Sequence, residues 1–148
     1  MTSPSIKQPL VSVVMPTYNY AQFIGDAIGS VLDQTYKNIE LIIIDNYSDD
    51  NTEEIIASFN DTRIKYKKFR NNGIIAASRN IGISESRGKY IAFLDSDDMW
   101  KPAKIEKQIK LLENDENVFL VYSRYAVIRN GLFRENLPKR KRLKYRAR

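Results

Sequence analysis

The sequence contains no cysteine and no histidine. The first absence excludes disulfides and thiolate chemistry, and the second excludes imidazole bases and the commonest side-chain ligand of transition metals. Any bound metal should therefore be a hard cation held by oxygen atoms, such as Mg²⁺ or Mn²⁺. Chemistry in this chain has to use carboxylates, hydroxyls, amides and cationic side chains.

Long apolar runs are also missing. No run approaches the roughly 20 residues that cross a bilayer, and the best ones, such as IELIII and YIAFL, have the length of strands. The first ten residues, MTSPSIKQPL, lack the basic start and apolar middle of a signal peptide. With 148 residues, 43% of them hydrophobic, the chain can bury a core, and we expect one cytoplasmic domain.

Positive charge is concentrated at the C-terminus. Residues 134–148 contain eight of the 24 lysines and arginines but only one of the 18 acidic residues, so the rest of the chain is nearly neutral. We therefore predict an N-terminal extension at residues 1–9, one domain at residues 10–133 and a basic tail at residues 134–148. Such a tail could make peripheral contact with an anionic membrane, whereas nucleic acid is not the expected partner.

Short apolar runs alternate with helical patterns along the chain. The predicted strands are residues 11–15, 39–44, 63–69, 89–94 and 118–122, and the predicted helices are 21–34, 51–59, 74–86 and 102–114. Asp50 or Asn51 can cap the second helix, and Pro102 suits the first turn of the fourth. The alternation predicts an α/β fold, a Rossmann-like three-layer sandwich with a mostly parallel sheet.

In such a sheet, ligands bind beyond the carboxyl ends of the strands, where the strand order reverses. Polar residues follow the first, second and fourth predicted strands in the segments PTYN, DNYSDD and DSDD. If the strand order is 3-2-1-4, these three segments line one crevice, which would suit a nucleotide.

Several nucleotide-binding classes lack their motifs here. The turn after the first strand, MPTYNYAQF, has no glycine and so cannot be the G-x-G-x-x-G turn of a dinucleotide site, and no P-loop sequence occurs. The D-x-D-x-[TV] motif of aspartate-dependent phosphatases is only partly matched, because Met99 stands at its last position.

Asp95, Asp97 and Asp98 place three like charges within four residues. A diphosphate can share a crevice with them only if a divalent cation lies between the two sets of charges. Asp97, helped by Asp95, would then hold Mg²⁺ or Mn²⁺. The alternative is that these aspartates only cap the helix that begins near Pro102.

Two longer segments carry a family resemblance. The stretch from VSVVMPTYNY to IIIDNYSDDNT and the stretch NNGIIAASRNIGISESRGKYIAFLDSDDMWKP resemble the nucleotide-sugar half of family 2 glycosyltransferases. The resemblance covers residues 10 to about 125 and implies the glycosyltransferase A fold, here apparently truncated. It also implies a UDP-sugar donor, a glycan or lipid-linked acceptor and an inverting reaction.

The resemblance also implies roles for single residues. Thr17 and Asp45 would contact the uracil, Arg79 the diphosphate or base, Asp95 the ribose, Asp97 the metal and Trp100 the sugar. The complete set of predicted substrate-binding residues is Pro16, Thr17, Tyr18, Asn19, Asp45, Arg79, Asp95, Ser96 and Trp100, and the predicted metal ligands are Asp97 and Asp95. Where the family has a D-D-G-S-x-D loop, this chain has DNYSDD, with Asn46 and Tyr47 in place of an acid and a glycine.

No catalytic base can be assigned. Members that invert carry an Asp or Glu after the fifth strand, but beyond Val118 this chain offers only Glu135, within the basic tail. We therefore expect the chain alone not to transfer a sugar at a normal rate. A binding-only module that holds a UDP-sugar is one alternative. A sugar-phosphate nucleotidyltransferase is another, although it would need a Gly-rich, Arg-containing loop where PTYN stands.

Overall fold

A computed structural model describes residues 8–129 and 132–135. The elements, in chain order, are β1 (Val11–Thr17), α1 (Ala21–Leu32), β2 (Ile39–Asp45), α2 (Thr52–Ser58), β3 (Ile64–Lys68), α3 (Ile75–Glu85), β4 (Tyr90–Phe93), α4 (Lys104–Asn114), β5 (Ala126–Arg129) and β6 (Leu132–Glu135). The chain divides between Ile109 and Lys110 into two compact units. Among the described residues, no helix combines the length and the apolar character that crossing a bilayer would need.

The first unit is built on a four-stranded parallel sheet with the order β3-β2-β1-β4. This confirms the predicted fold class, and it is the strand order on which the predicted crevice depends. Every residue of β1 and β2 is buried, which requires cover on both faces of the sheet. On one face α3 packs so closely on β1 that a Cβ at Gly82 would lie 2.2 Å from Cγ1 of Val14. The sheet thus forms the centre of the apolar core.

Three of the predicted local details need comment. Asn51 occupies the N-cap position of α2 but makes no side-chain cap, and Oδ1 of the preceding Asp50 instead accepts the Thr52 N–H at 3.0 Å. Pro102 lies in a turn before α4 rather than in its first turn. The N–H of Ile105, near the start of α4, instead donates to Oε1 of Gln34 at 3.0 Å.

The predicted fifth strand, residues 118–122, is wrong. This segment has no regular secondary structure, and the side chains of Phe119 and Leu120 are about four-fifths exposed. A strand needs a neighbouring strand to pair its backbone, and among the described residues this segment pairs with none. In the second unit the strands are β5 and β6, which pair antiparallel, with Ala126 opposite Glu135. Most of the predicted basic tail, residues 136–148, lies outside the described residues.

Candidate nucleotide-binding site

The loops that follow β1, β2 and β4 emerge at the same edge of the sheet, because all three strands are parallel. Thr17, the last residue of β1, is opposite Asp45, the last residue of β2. β4 ends earlier, with Phe93 opposite Val14, so the segment after it continues beside the last residues of β1. The strand order reverses between β1 and β4, and the predicted crevice therefore lies where ligands bind in open α/β sheets.

Hydrogen bonds join the loops after β1 and β2. The backbone N–H of Asn19 donates to Oγ of Ser48 at 2.9 Å, and Oδ1 of Asn19 accepts the Asp49 N–H at 2.9 Å. Asn19 has a φ of 54°, in the left-handed region that asparagine tolerates better than most residues. Asp50 adds a further link, because its Oδ2 accepts the N–H of Ala21 at 2.9 Å. The two loops are thus one preformed wall of the crevice.

Asp45 is buried, and its hydrogen bonds stabilise the loop after β2. Its carboxylate accepts the backbone N–H of Ser48 at 2.9 Å, the Ser48 hydroxyl at 2.6 Å and the Tyr66 hydroxyl at 2.6 Å. Burial and the hydrogen bond to Asp45 raise the pKa of Tyr66 far above its ordinary value, so the phenol stays a donor. In this structure Asp45 shapes the loop, and its direct contact with a base stays a prediction.

Arg79 reaches from α3 to the loop after β4. Its Nη2 donates to Oδ1 of Asp95 at 2.6 Å, and both side chains are partly exposed. The neighbouring Ser78 is buried and accepts a hydrogen bond from Nδ2 of Asn71 at 2.9 Å, which fixes this turn of α3 against the loop after β3. Two residues predicted to bind substrate are therefore brought together as an ion pair.

Two buried polar atoms in this region have no partner. Among the described residues, only Oγ1 of Thr17 and Nε of Arg79 are buried side-chain nitrogen or oxygen atoms that lack a hydrogen bond. Buried polar groups are almost always satisfied, so each exception calls for an explanation. Both atoms belong to residues that the sequence predicted to bind substrate. A bound ligand that accepts from Arg79 and bonds to Thr17 would satisfy both.

The aspartates after β4 form a tight turn, in which the Asp98 N–H donates to the Asp95 carbonyl at 3.0 Å. Ser96 is buried within the turn, and Asp97 is exposed. Partial burial and the charges of Asp97 and Asp95 raise the pKa of Asp98. This negative potential and the hard oxygen donors fit a divalent cation. No three acidic side chains converge within the described residues, so the remaining ligands would have to come from the bound molecule or water.

A polar clamp that the sequence did not predict fixes the segment after this turn. The buried side chain of Gln34, just beyond α1, donates to the carbonyls of Ser30 at 3.0 Å and Lys101 at 2.9 Å. The N–H of Trp100 donates to Oγ of Ser30 at 3.1 Å. The ammonium of Lys104 lies 4.1 Å from the centre of the Trp100 ring. Burial lowers the pKa of Lys104. Trp100 is thus held beside the aspartate turn.

The remaining predicted residues differ in accessibility. Pro16 is buried inside β1, opposite Ile44, while Tyr18 is half-exposed at the mouth of the crevice. A separate shallow depression between α2 and β3 contains none of the predicted residues.

Comparison with protein families gives a match to the model described as "Glycosyl transferase family 2" over residues 12–148. The Escherichia coli protein WfgD, named UDP-Glc:alpha-D-GlcNAc-diphosphoundecaprenol beta-1,3-glucosyltransferase, is 41% identical over 122 residues, which are 82% of this chain and 48% of WfgD. The Bacillus subtilis protein TuaG, a putative teichuronic acid biosynthesis glycosyltransferase, is 42% identical over 107 residues, 71% of this chain and 42% of TuaG. The chain thus spans less than half the length of these relatives.

Solved structures share the fold. TarS 1-349 of Staphylococcus aureus in complex with UDP has a TM-score of 0.67 and 25% identity, covering 71% of this chain and 32% of that one. The mannosyltransferase PcManGT from Pyrobaculum calidifontis, in complex with GDP-Man and Mn²⁺, has a TM-score of 0.68 and 24% identity over 76% of this chain and 34% of that one. These similarities confirm the glycosyltransferase A fold.

Proposed function

Because this chain belongs to glycosyl transferase family 2, we propose that it contributes the donor-binding part of a transferase that moves a sugar from a UDP-sugar to a glycan or lipid-linked acceptor. The names of the relatives support this choice of substrates: WfgD uses UDP-Glc and a diphosphoundecaprenol-linked acceptor by name, and a TarS structure contains UDP.

The unpaired buried atoms of Thr17 and Arg79 are the observation that carries the proposal. A nucleoside diphosphate offers carbonyl and phosphate oxygens, which accept hydrogen bonds from a hydroxyl and a guanidinium. Arg79 also lies 2.6 Å from Asp95, so a phosphate that draws the guanidinium toward itself would free the Asp95 carboxylate for the ribose or a metal. A ligand of this class would satisfy groups that the protein leaves unpaired.

The proposed cofactor is Mn²⁺ or Mg²⁺, held by Asp97 with Asp95. When bound, such an ion would supply the positive charge that stabilises the departing diphosphate. The chain's own contribution would be to fix the donor: Arg79 binds a phosphate, the clamp made by Gln34 fixes the segment beside the sugar, and Trp100 packs on the sugar. We propose an inverting reaction, and we assign the base that would deprotonate the acceptor to no residue of this chain.

Thermal unfolding in the presence of nucleotides tests this function. UDP with Mn²⁺ at about 100 times its Kd should raise the melting temperature by about 5 to 10 °C, since binding to the native state alone adds about 2.7 kcal/mol. Uridine without metal should raise it less, and ADP with Mn²⁺ serves as the control for unspecific diphosphate binding. If no nucleoside diphosphate raises the melting temperature with either metal, the proposed function is wrong.

The basic tail is proposed to attach the protein to the inner face of the membrane. Each basic residue near an anionic surface contributes about 1 kcal/mol, and residues 134–148 contain eight of them. The full chain should therefore sediment with vesicles that contain anionic lipid, and the binding should weaken in high salt. A chain ending at residue 135, which keeps β6 whole and removes seven of the eight, should remain in the supernatant. Equal sedimentation of both chains would contradict the role of the tail.

A further inference from the structure

Arg79 and Asp95 bind each other in this structure. Nη2 of Arg79 donates to Oδ1 of Asp95 at 2.6 Å, and this is the only hydrogen bond that the Arg79 side chain makes to the described residues. A guanidinium on the Asp95 carboxylate repels a second cation at the same oxygen atoms. The ion pair therefore makes Asp95 a weaker ligand for a divalent ion than a free aspartate would be.

The ion pair uses only part of the guanidinium. Nε of Arg79 is buried and has no hydrogen-bond partner among the described residues. Nε and Nη2 lie on the same edge of a guanidinium, and that edge can bind a phosphate through two parallel hydrogen bonds. Asp95 accepts from Nη2 alone. A phosphate that accepts from both nitrogens would therefore be a better partner for Arg79 than Asp95 is.

The ion pair is also weak enough to be replaced. The side chains of Arg79 and Asp95 are 38% and 51% exposed, so water screens the attraction between them. Exposed ion pairs of this kind contribute little to stability. An exchange of the partner of Arg79 would therefore cost the protein little.

The backbone on both sides of the pair is fixed. In α3, Oγ of the buried Ser78 accepts from Nδ2 of Asn71 at 2.9 Å. In the turn after β4, the Asp95 carbonyl accepts the Asp98 N–H at 3.0 Å. Rotation of the two side chains is thus sufficient for the exchange, and the helix and the turn can keep their positions.

We propose that Arg79 is a positioning residue that couples the nucleotide to the metal: without nucleotide it keeps the Asp95 carboxylate from a divalent ion, and the diphosphate of the donor releases that carboxylate by binding Arg79 instead. This inference rests on the proposed function. The separate roles that the family resemblance implies for Arg79 and Asp95 contain no such exchange. Coupling between two ligands is reciprocal, so the ion strengthens nucleotide binding by the same factor as the nucleotide strengthens ion binding.

Arg79→Gln tests the exchange, because glutamine removes the charge and keeps much of the length of the side chain. Titration with Mn²⁺, followed through the electron paramagnetic resonance signal of the free ion, gives the Kd for Mn²⁺ without nucleotide and at saturating UDP. Without nucleotide, the replacement should lower this Kd about 2- to 5-fold, the range of an exposed ion pair. At saturating UDP it should leave the Kd unchanged, because UDP has already released Asp95 in the wild type. The factor by which UDP strengthens Mn²⁺ binding should therefore fall about 2- to 5-fold.

Two further variants separate the exchange from a general loss of positive charge. Arg70→Gln removes the same charge from the loop after β3, where the guanidinium carbon lies 5.0 Å from the centre of the Tyr47 ring. It should leave the coupling between UDP and Mn²⁺ as in the wild type. In an Asp95→Asn background the exchanged carboxylate is missing, so the further replacement Arg79→Gln should not change the coupling.

The chemical group that drives the exchange can be identified with fragments of UDP. Inorganic pyrophosphate should show coupling with Mn²⁺ that falls in Arg79→Gln, because the exchange needs only phosphate oxygens. Uridine should show no coupling that depends on Arg79. If uridine and pyrophosphate behave alike, the exchange of Arg79 between Asp95 and a phosphate is wrong.

The outcomes distinguish this inference from the proposed function. If wild-type protein does not bind UDP, the proposed function fails and the coupling fails with it. If the wild type binds UDP but Arg79→Gln changes the Mn²⁺ Kd by the same factor with and without UDP, the replacement acts only through its charge. The coupling by Arg79 is then wrong while the proposed function stands.

Discussion

Replacing Asp97 with alanine is expected to abolish the increase in UDP affinity that Mn²⁺ produces in the wild type. The diphosphate and the carboxylates after β4 repel each other unless a cation bridges them, and Asp97 is an exposed carboxylate of that turn. We expect Mn²⁺ to strengthen UDP binding to the wild type at least about tenfold, or 1.4 kcal/mol, and to have no such effect on Asp97→Ala. Weak uridine binding should persist in the variant. Titration calorimetry with UDP and uridine, in Mn²⁺ and in EDTA, measures all of these quantities.

Asp49→Ala is the matched control for this experiment. Asp49 is also an exposed aspartate at the crevice, but it belongs to the loop after β2, and its replacement changes the net charge by the same amount. The metal response of Asp49→Ala should equal that of the wild type. If EDTA leaves the UDP affinity of the wild type unchanged, the metal interpretation of the aspartate turn is wrong. The capping interpretation would not gain by this, because Gln34 already binds the N–H of Ile105.

Acid should destabilise the protein in part through the buried carboxylate of Glu40 in β2. Its oxygens accept hydrogen bonds from the Ser12 hydroxyl at 2.6 Å and the Arg87 backbone N–H at 2.8 Å, and Nζ of Lys65 lies 2.8 Å away. Burial alone would raise the pKa of Glu40, but hydrogen bonds from Lys65, Ser12 and Arg87 together outweigh it and lower the pKa from 4.5 to about 2. The carboxylate is therefore favoured in the folded state.

The direction of the pH effect follows from this lowered pKa. Above pH 4.5 the Glu40 interactions contribute fully to the free energy of unfolding, and the contribution is lost as the pH falls from 4.5 to about 2. A shift of this size corresponds to about 3 kcal/mol. Asp61, whose pKa is also lowered to about 2 by hydrogen bonds from Arg63, acts in the same pH range. A Glu40 variant is therefore needed to separate its contribution to the acid-dependent loss of stability from that of Asp61.

Glu40→Gln should lower the free energy of unfolding at pH 7 by up to about 3 kcal/mol, because it removes the buried charge that Lys65 and Arg87 bind while both cations stay partly exposed to water. The loss should shrink toward pH 2, where the wild type is protonated as well. Urea unfolding followed by the fluorescence of Trp100, the single tryptophan, measures both effects. Glu85→Gln, which breaks the exposed ion pair with Lys67, should have a far smaller effect. Equal effects of the two replacements would show that burial of Glu40 adds nothing.

Local pattern in the sequence was sufficient for the sheet and for the edge at which the predicted site residues lie. The first four strands follow from apolar runs such as IELIII, whose uniform burial in β2 is what a central parallel strand requires. The strand order was only a condition of the sequence argument, and the order β3-β2-β1-β4 meets it, so that the polar segments after β1, β2 and β4 lie at one edge of the sheet. The family was evident from several motifs in a fixed order, and the match over residues 12–148 confirms it.

The same reasoning failed where composition alone had to identify a strand. Residues 118–122, VFLVY, have high β-propensity, but propensity describes only how well a residue fits a pleated surface. The backbone of this segment finds no neighbouring strand among the described residues, and its apolar side chains stay exposed. Pairing, rather than propensity, decided the outcome.

The sequence by itself determined the order of elements, the edge of the sheet where the candidate site lies and the types of residue available there. Only the tertiary structure decided which of those residues face each other. Gln34 contacts Ile105 across 71 residues, Arg87 contacts Glu40 across 47, and Tyr66 contacts Asp45 across 21. The unpaired atoms of Thr17 and Arg79 could likewise be recognised only in the fold. The physical reason is that hydrogen bonds and burial depend on distances in space, which sequence patterns report only for residues a few positions apart.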